Sequence, residues 1–65
     1  MESTGLKDKS YNEIFVGDVL EDEIGRRFVV LKHDNTYVVS EDCNLDEIYG
    51  GLDEIFACMV TKVRN

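Results

Sequence analysis

Apolar and polar positions alternate through the middle of the chain and lose that rhythm toward both ends. Residues 26–33 carry the clearest strand signal, because Phe28-Val29-Val30-Leu31 is an unbroken β-branched and aromatic run with apolar groups for both faces. Asp34-Asn35 is a turn pair, and residues 36–40 form the return strand of a central hairpin. Upstream, residues 11–15 begin another strand, and the Gly-Asp pair inside the apolar stretch 16–20 predicts a bulge or tight corner at Gly17. Residues 21–25 are polar except for Ile24 and end in Gly25, which suits a hairpin connection. Residues 1–10 hold little apolar content beyond Leu6 and read as a flexible tail ahead of one small domain at 11–65.

The pattern changes after residue 41. Asn44 followed by Glu47 fits a capping box, which predicts one helical turn over 45–49 ended by Gly50-Gly51. Residues 52–63 are ambiguous. Leu45, Ile48, Leu52, Ile55 and Met59 keep the three-four spacing of a helical face, whereas Val60, Thr61 and Val63 prefer strands. The expectation is a final strand over about 55–63, an alternation that places Cys58 in the core. These segments add up to a mainly β domain, a curled antiparallel sheet or small barrel with one short helical turn. A chain of 65 residues has room for one domain and a small core, a size at which oligomerisation commonly adds stability, so a homodimer is expected.

Charge sharpens this picture. The formal charge of -7 lies wholly within residues 33–61, which hold Asp34, Glu41, Asp42, Asp46, Glu47, Asp53 and Glu54 and neither Lys nor Arg. Everywhere else acids and bases balance. Such a run repels phosphate and anionic membrane surfaces and attracts basic protein surfaces, so direct nucleic-acid or membrane binding is not expected. Within it, Leu45-Asp46-Glu47-Ile48-Tyr49 returns seven residues later as Leu52-Asp53-Glu54-Ile55-Phe56. The repeat is either a coincidence in a short acidic chain or two copies of one patch, acids set around apolar and aromatic anchors.

Catalytic and metal chemistry find little support. Adjacent carboxylates work as acid and base only in a cleft that separates their pKa values, and so small a domain has few walls for one. Asp42-Cys43-Asn44-Leu45-Asp46 begins like a calcium loop, but Glu47 and Asp53 stand where that loop needs glycine and a bidentate glutamate. Cys43, Cys58 and His33 offer three soft ligands without the short-spaced pair of a zinc site. No metal or cofactor is expected. Without an apolar run for a leader or a membrane span, the chain reads as cytoplasmic with both cysteines reduced.

The stretch Ile14-Phe15-Val16-Gly17-Asp18-Val19-Leu20, a polar loop and then Gly25-Arg26-Arg27-Phe28-Val29-Val30-Leu31 resembles the opening hairpin of SH3-like small barrels of the KOW and Tudor types. The resemblance covers about residues 11–63 and implies a five-strand curled sheet that binds protein or RNA and seldom catalyses. In physical type the chain is also similar to small acidic proteins with which bacteriophages disable host factors, some by imitating DNA's charge. The leading expectation is a non-enzymatic interaction protein whose acidic face binds, and by DNA mimicry inhibits, a basic DNA-binding protein such as a nucleoid protein, polymerase or nuclease. Asp42, Asp46, Glu47, Asp53 and Glu54 carry the charge in that reading, with Tyr49 and Leu52 as anchors. The alternative is a small-barrel adaptor that binds a peptide or RNA through Tyr11, Phe15 and Tyr37, its acidity serving solubility.

Overall fold

The computed structural model describes residues 2–63 and contains strands β1 (Ser3–Lys7), β2 (Glu13–Phe15), β3 (Val19–Glu21), β4 (Arg27–His33), β5 (Thr36–Glu41) and β6 (Gly50–Gly51), the helical turn α1 (Glu54–Ala57) and strand β7 (Thr61–Lys62). The central hairpin is β4 and β5, in register from Phe28 opposite Glu41 to His33 opposite Thr36. Asp34 and Asn35 close it with φ of 48° and 65°. A two-residue loop between right-twisted strands needs such left-handed backbone, and Asp and Asn adopt it at small cost. The sheet continues outward in the order β6-β5-β4-β3-β7, every pair antiparallel, while β1 and β2 form a separate two-stranded sheet.

The two sheets join at the predicted corner. Gly17, at a φ of 96°, donates its N–H to the Val30 carbonyl at 2.8 Å, and the Asp18 carboxylate accepts the Phe15 N–H at 2.7 Å. Only glycine takes that backbone angle freely, which explains the Gly-Asp pair. The sheets are not closed into a barrel, and the architecture present is a five-stranded and a two-stranded antiparallel sheet.

Residues 3–7, expected to lie in a tail, are instead strand β1. Its register against β2 shifts between Ser3 and Lys7, five residues facing three, and Gly5 takes up the excess at a φ of 77°. Polar side chains hold it in place: Ser3 Oγ donates to the Glu13 carboxylate, Thr4 Oγ1 to the Ile14 carbonyl at 2.8 Å, and Tyr37 and Lys32 both donate to the Glu2 carboxylate. The hydrogen bond from Tyr37, then that from Lys32, holds the Glu2 carboxyl below its ordinary pKa. Leu6 packs on the core as the one apolar contribution.

The largest side-chain clasp is Asp8, which is 3% exposed. Its Oδ1 accepts the N–H groups of Ser10 and Asn12, each at 2.8 Å, and its Oδ2 accepts the Lys62 N–H at 2.7 Å. The carboxylate thus fastens the turn after β1 to the last strand.

Two further expectations are corrected beyond β5. The helical turn over 45–49 does not form, because the extended Gly50-Gly51 pairs with Val39 and Val38 and draws the preceding residues into an open loop. Asn44 donates from its side chain to the Glu47 carboxylate at 2.8 Å instead of capping a helix. The helical turn occurs one repeat later, where Asp53 is the cap and accepts the Phe56 N–H at 2.8 Å. That turn also shortens the expected final strand to β7. It buries Ala57 and Val60, three residues apart, and leaves Cys58 exposed.

Ile14, Leu20, Phe28, Val30, Val39, Leu52, Ala57 and Val60 make the core. Ser40, next to Val39 on β5, is also at 0% exposure, and its Oγ has no hydrogen-bond partner among the described residues. A hydroxyl buried without a partner costs about 1–3 kcal/mol, so Ser40→Ala is expected to stabilise the fold by about 1 kcal/mol. In a thermal melt that gain is a rise of about 4–8 °C. A lower melting temperature would show that Oγ is contributing a contact.

Candidate protein-binding face

Phe28 is the platform of the face. It is 1% exposed, and the two aromatic residues that end the sequence repeat pack on it: the Tyr49 ring at 4.7 Å and 54°, and the Phe56 ring at 5.4 Å and 79°. Both angles avoid face-to-face stacking, as ring quadrupoles favour. The repeat therefore has a structural meaning, although its copies differ in conformation. The first is an open loop and the second a capped helical turn, and both deliver an aromatic ring to the same side chain.

Arg26 covers this cluster from the connection just before β4, with its guanidinium carbon 5.7 Å from the centroids of Phe28 and of Tyr49. Asp22 holds it at 2.9 Å, and Arg26 in turn donates to the Tyr49 hydroxyl at 3.3 Å. Partial burial pushes the Asp22 carboxyl up, but the hydrogen bonds from the Arg26 backbone and side chain outweigh this and hold it below its ordinary pKa. The same side-chain hydrogen bond, donated by Arg26 to Asp22, raises the Arg26 pKa.

Two shallow clefts meet at Tyr49. One, of about 370 Å³, is lined by Glu41, Cys43, Asn44, Glu47, Ile48 and Tyr49. The other, of about 380 Å³, is bordered by Ile24, Tyr49, Phe56, Met59 and Val60 together with the charged Asp22, Glu23 and Arg26. Ile24 is 75% exposed and Met59 52%. The loop 42–49 between the clefts is anchored at both ends, by the Asp42 N–H on the Arg27 carbonyl at 3.0 Å and the Tyr49 N–H on the Val39 carbonyl at 2.9 Å.

The charge separation read in the sequence persists in three dimensions. Lys9, Arg26, Arg27, Lys32 and Lys62 pair with Glu23, Asp22, Glu21, Glu2 and Asp18, all acids outside the 33–61 run. Among the described residues, no Lys or Arg forms an ion pair with Glu41, Asp42, Asp46, Glu47, Asp53 or Glu54. Within the run, the Asp34 carboxylate lies 3.3 Å from the His33 imidazole.

The predicted site residues divide. Asp42, Asp46, Glu47 and Tyr49 share the exposed loop beside the acidic cleft. Asp53 is exposed, but its carboxylate is engaged in capping α1, and Glu54 borders a different cleft with Leu6, Lys7 and Tyr11. Leu52, at 9% exposure, belongs to the core and is corrected as an anchor, because its N–H bonds the Tyr37 carbonyl at 2.9 Å and turns the side chain inward. Ile24, Arg26, Phe56 and Met59 complete the face and were absent from the sequence-based set. The signal for Ile24 was available, as the one apolar residue in a polar hairpin loop.

Of the aromatic residues in the adaptor alternative, Phe15 and Tyr37 carry Lys62 and Lys32 over their rings at 5.2 and 6.0 Å, and Tyr11 lines a cleft that neither reaches. Cys43 and Cys58 are exposed free thiols, the first donating to the Glu41 carboxylate at 3.7 Å. Among the described residues no cluster of three His, Cys, Asp or Glu is placed to hold a metal ion, and no helix is long and apolar enough to cross a membrane. Comparison with known proteins finds one family, described as YopX protein, whose match spans residues 1–63. Neither curated proteins nor solved structures give a match.

Proposed function

The chain belongs to the YopX protein family, and we propose that it acts as a non-enzymatic protein-binding module whose acidic loop receives a basic, nucleic-acid-binding protein surface. The observation that carries this reading is the segregation of charge: the described cations that form ion pairs are spent on acids elsewhere, which leaves the 42–49 loop anionic beside exposed apolar side chains. Uncompensated surface charge steers a complementary partner to its site and makes the association fast and sensitive to salt. DNA mimicry is the specific form of this proposal, with the loop carboxylates taking the place of phosphates in a basic groove and so inhibiting the partner. The five-stranded antiparallel sheet supplies the rigid support in this reading.

The test is capture from a cell lysate with the purified protein and with the triple variant Asp42→Lys, Asp46→Lys, Glu47→Lys. Basic DNA-binding proteins are expected on the parent protein at low salt, released by added salt or competing DNA, and absent from the variant. Capture that survives both the charge reversal and the salt would overturn the reading. The three substituted side chains are exposed and outside the core, so the variant is expected to melt within a few degrees of the parent.

A further inference from the structure

Resting on the protein-binding reading, we infer that the partner enters this face as a linear segment in which a cationic residue and a large apolar residue are near neighbours. The two clefts differ in chemistry yet share one wall, the Tyr49 ring. The first presents Glu41 and Glu47, which pair with no Lys or Arg among the described residues. The second is neutral at its rim, because Asp22 is matched by Arg26 at 2.9 Å and Glu23 by Lys9 at 3.3 Å. Its floor and sides are Ile24, Phe56 and Met59, so it favours an uncharged apolar group.

Charge decides among occupants. A second copy of the chain brings another -7 to an already anionic face, and a nucleic acid brings phosphates. A polypeptide with Arg or Lys beside Leu, Met or Phe satisfies both clefts at once. The cation lies between the Glu41 and Glu47 carboxylates near the tyrosine ring, and the apolar neighbour fills the groove on the ring's other side. An unmixed basic surface fills only the first cleft. The segment chemistry thus narrows the partner from any basic protein to one with an accessible basic and apolar stretch.

The probe is a short capped peptide alternating arginine with leucine, compared with an equally long peptide alternating arginine with serine, each titrated into the labelled protein by NMR. The leucine peptide is expected to bind at least about tenfold more tightly, since burial of one leucine side chain gives that factor or more. Signals of Ile24, Glu47, Tyr49 and Met59 should shift together. Met59→Gln and, separately, Ile24→Ser are expected to bring the leucine peptide down to the level of the serine peptide and leave the latter unchanged. Both side chains are exposed, so neither change opens the core. Equal binding of the two peptides would overturn the inference while leaving the acidic reading in place, and binding of neither would overturn the inference. Shifts confined to the Leu6 and Tyr11 cleft would overturn it too. Self-association by sedimentation that Met59→Gln abolishes would assign the groove to a second copy and overturn it as well.

Discussion

Phe28→Ala is expected to cost about 4 kcal/mol, a large part of the protein's total stability. Truncating a fully buried aromatic residue typically loses about 3–5 kcal/mol in transfer energy and cavity formation. At about 0.05–0.15 kcal/mol per residue, a chain of this length has only about 3–10 kcal/mol in total. Neighbours cannot easily refill the space, because Tyr49 and Phe56 reach Phe28 from a loop and a helical turn whose backbones are fixed by β6 pairing and by the Asp53 cap. Urea unfolding followed by tyrosine fluorescence measures the loss. Phe28→Leu serves as the milder variant, expected to keep the fold at a cost of about 1–2 kcal/mol and to loosen the Tyr49 ring. A loss below about 1 kcal/mol for the alanine variant would show that the two outer rings hold each other without the platform.

Asp8→Ala is expected to cost about 3 kcal/mol, because it leaves the Ser10, Asn12 and Lys62 N–H groups without their acceptor. Hydrogen bonds to a charged group contribute about 1.5–3 kcal/mol, and orphaned buried donors keep their desolvation cost. Asp8→Asn is expected to lose less, since its carbonyl oxygen still accepts on one side while its amide faces the Lys62 donor. The effect depends on pH with a definite sign. Burial pushes the Asp8 carboxyl up, but the backbone N–H bonds from Lys62, Asn12 and Ser10 outweigh it, so the folded pKa lies below the ordinary value. A carboxyl with a depressed folded pKa contributes stability above the unfolded pKa of about 3.9 and loses it as pH falls through the folded value. The gap between the parent and Asp8→Asn in urea unfolding is therefore expected to be full at pH near 7 and to shrink progressively below about 4. A gap that stays constant or widens in acid would mean that the ionised form is not what the clasp uses.

Local signals dominate where the sequence was most legible. The β4 and β5 hairpin follows from an apolar run and an Asp-Asn turn that fit each other, and the Gly17 corner follows from a residue type that only a special backbone angle requires. Beyond β5 two segments carried the same local pattern, and tertiary pairing decided between them. Gly50-Gly51, free of side chains, was taken as an edge strand by β5, which denied the first repeat its helical turn and left the second to form one. Strand β1 was invisible for a related reason. Its sequence, STGLK, offers Leu6 alone as an apolar residue. It is held by Ser, Thr and carboxylate contacts to residues ten to thirty-five positions away, which no local reading registers.

The acidic half of the site was legible because charge sums along a chain. Its apolar half was not, because Ile24, Phe56 and Met59 come from three elements whose neighbourhood exists only after folding. Leu52 and Cys58 illustrate the same point in reverse: Leu52, read as an anchor of the acidic face, is drawn inward by its bond to β5, and Cys58, placed in the core by alternation, is turned outward by the helical turn.

The clasp between Asp8 and Lys62 spans 54 positions of the chain. A contact of that separation bears a large loop-closure cost and is favoured only once intervening structure has shortened the loop. During synthesis the hairpin of β4 and β5 has all its partners early, whereas the carboxylate near the start must wait, ionised and hydrated, until β7 has left the ribosome. Closure of this clasp is therefore among the last steps in completing the domain. An interruption of translation between residues 41 and 62 leaves a hairpin with an open edge, not a smaller working protein.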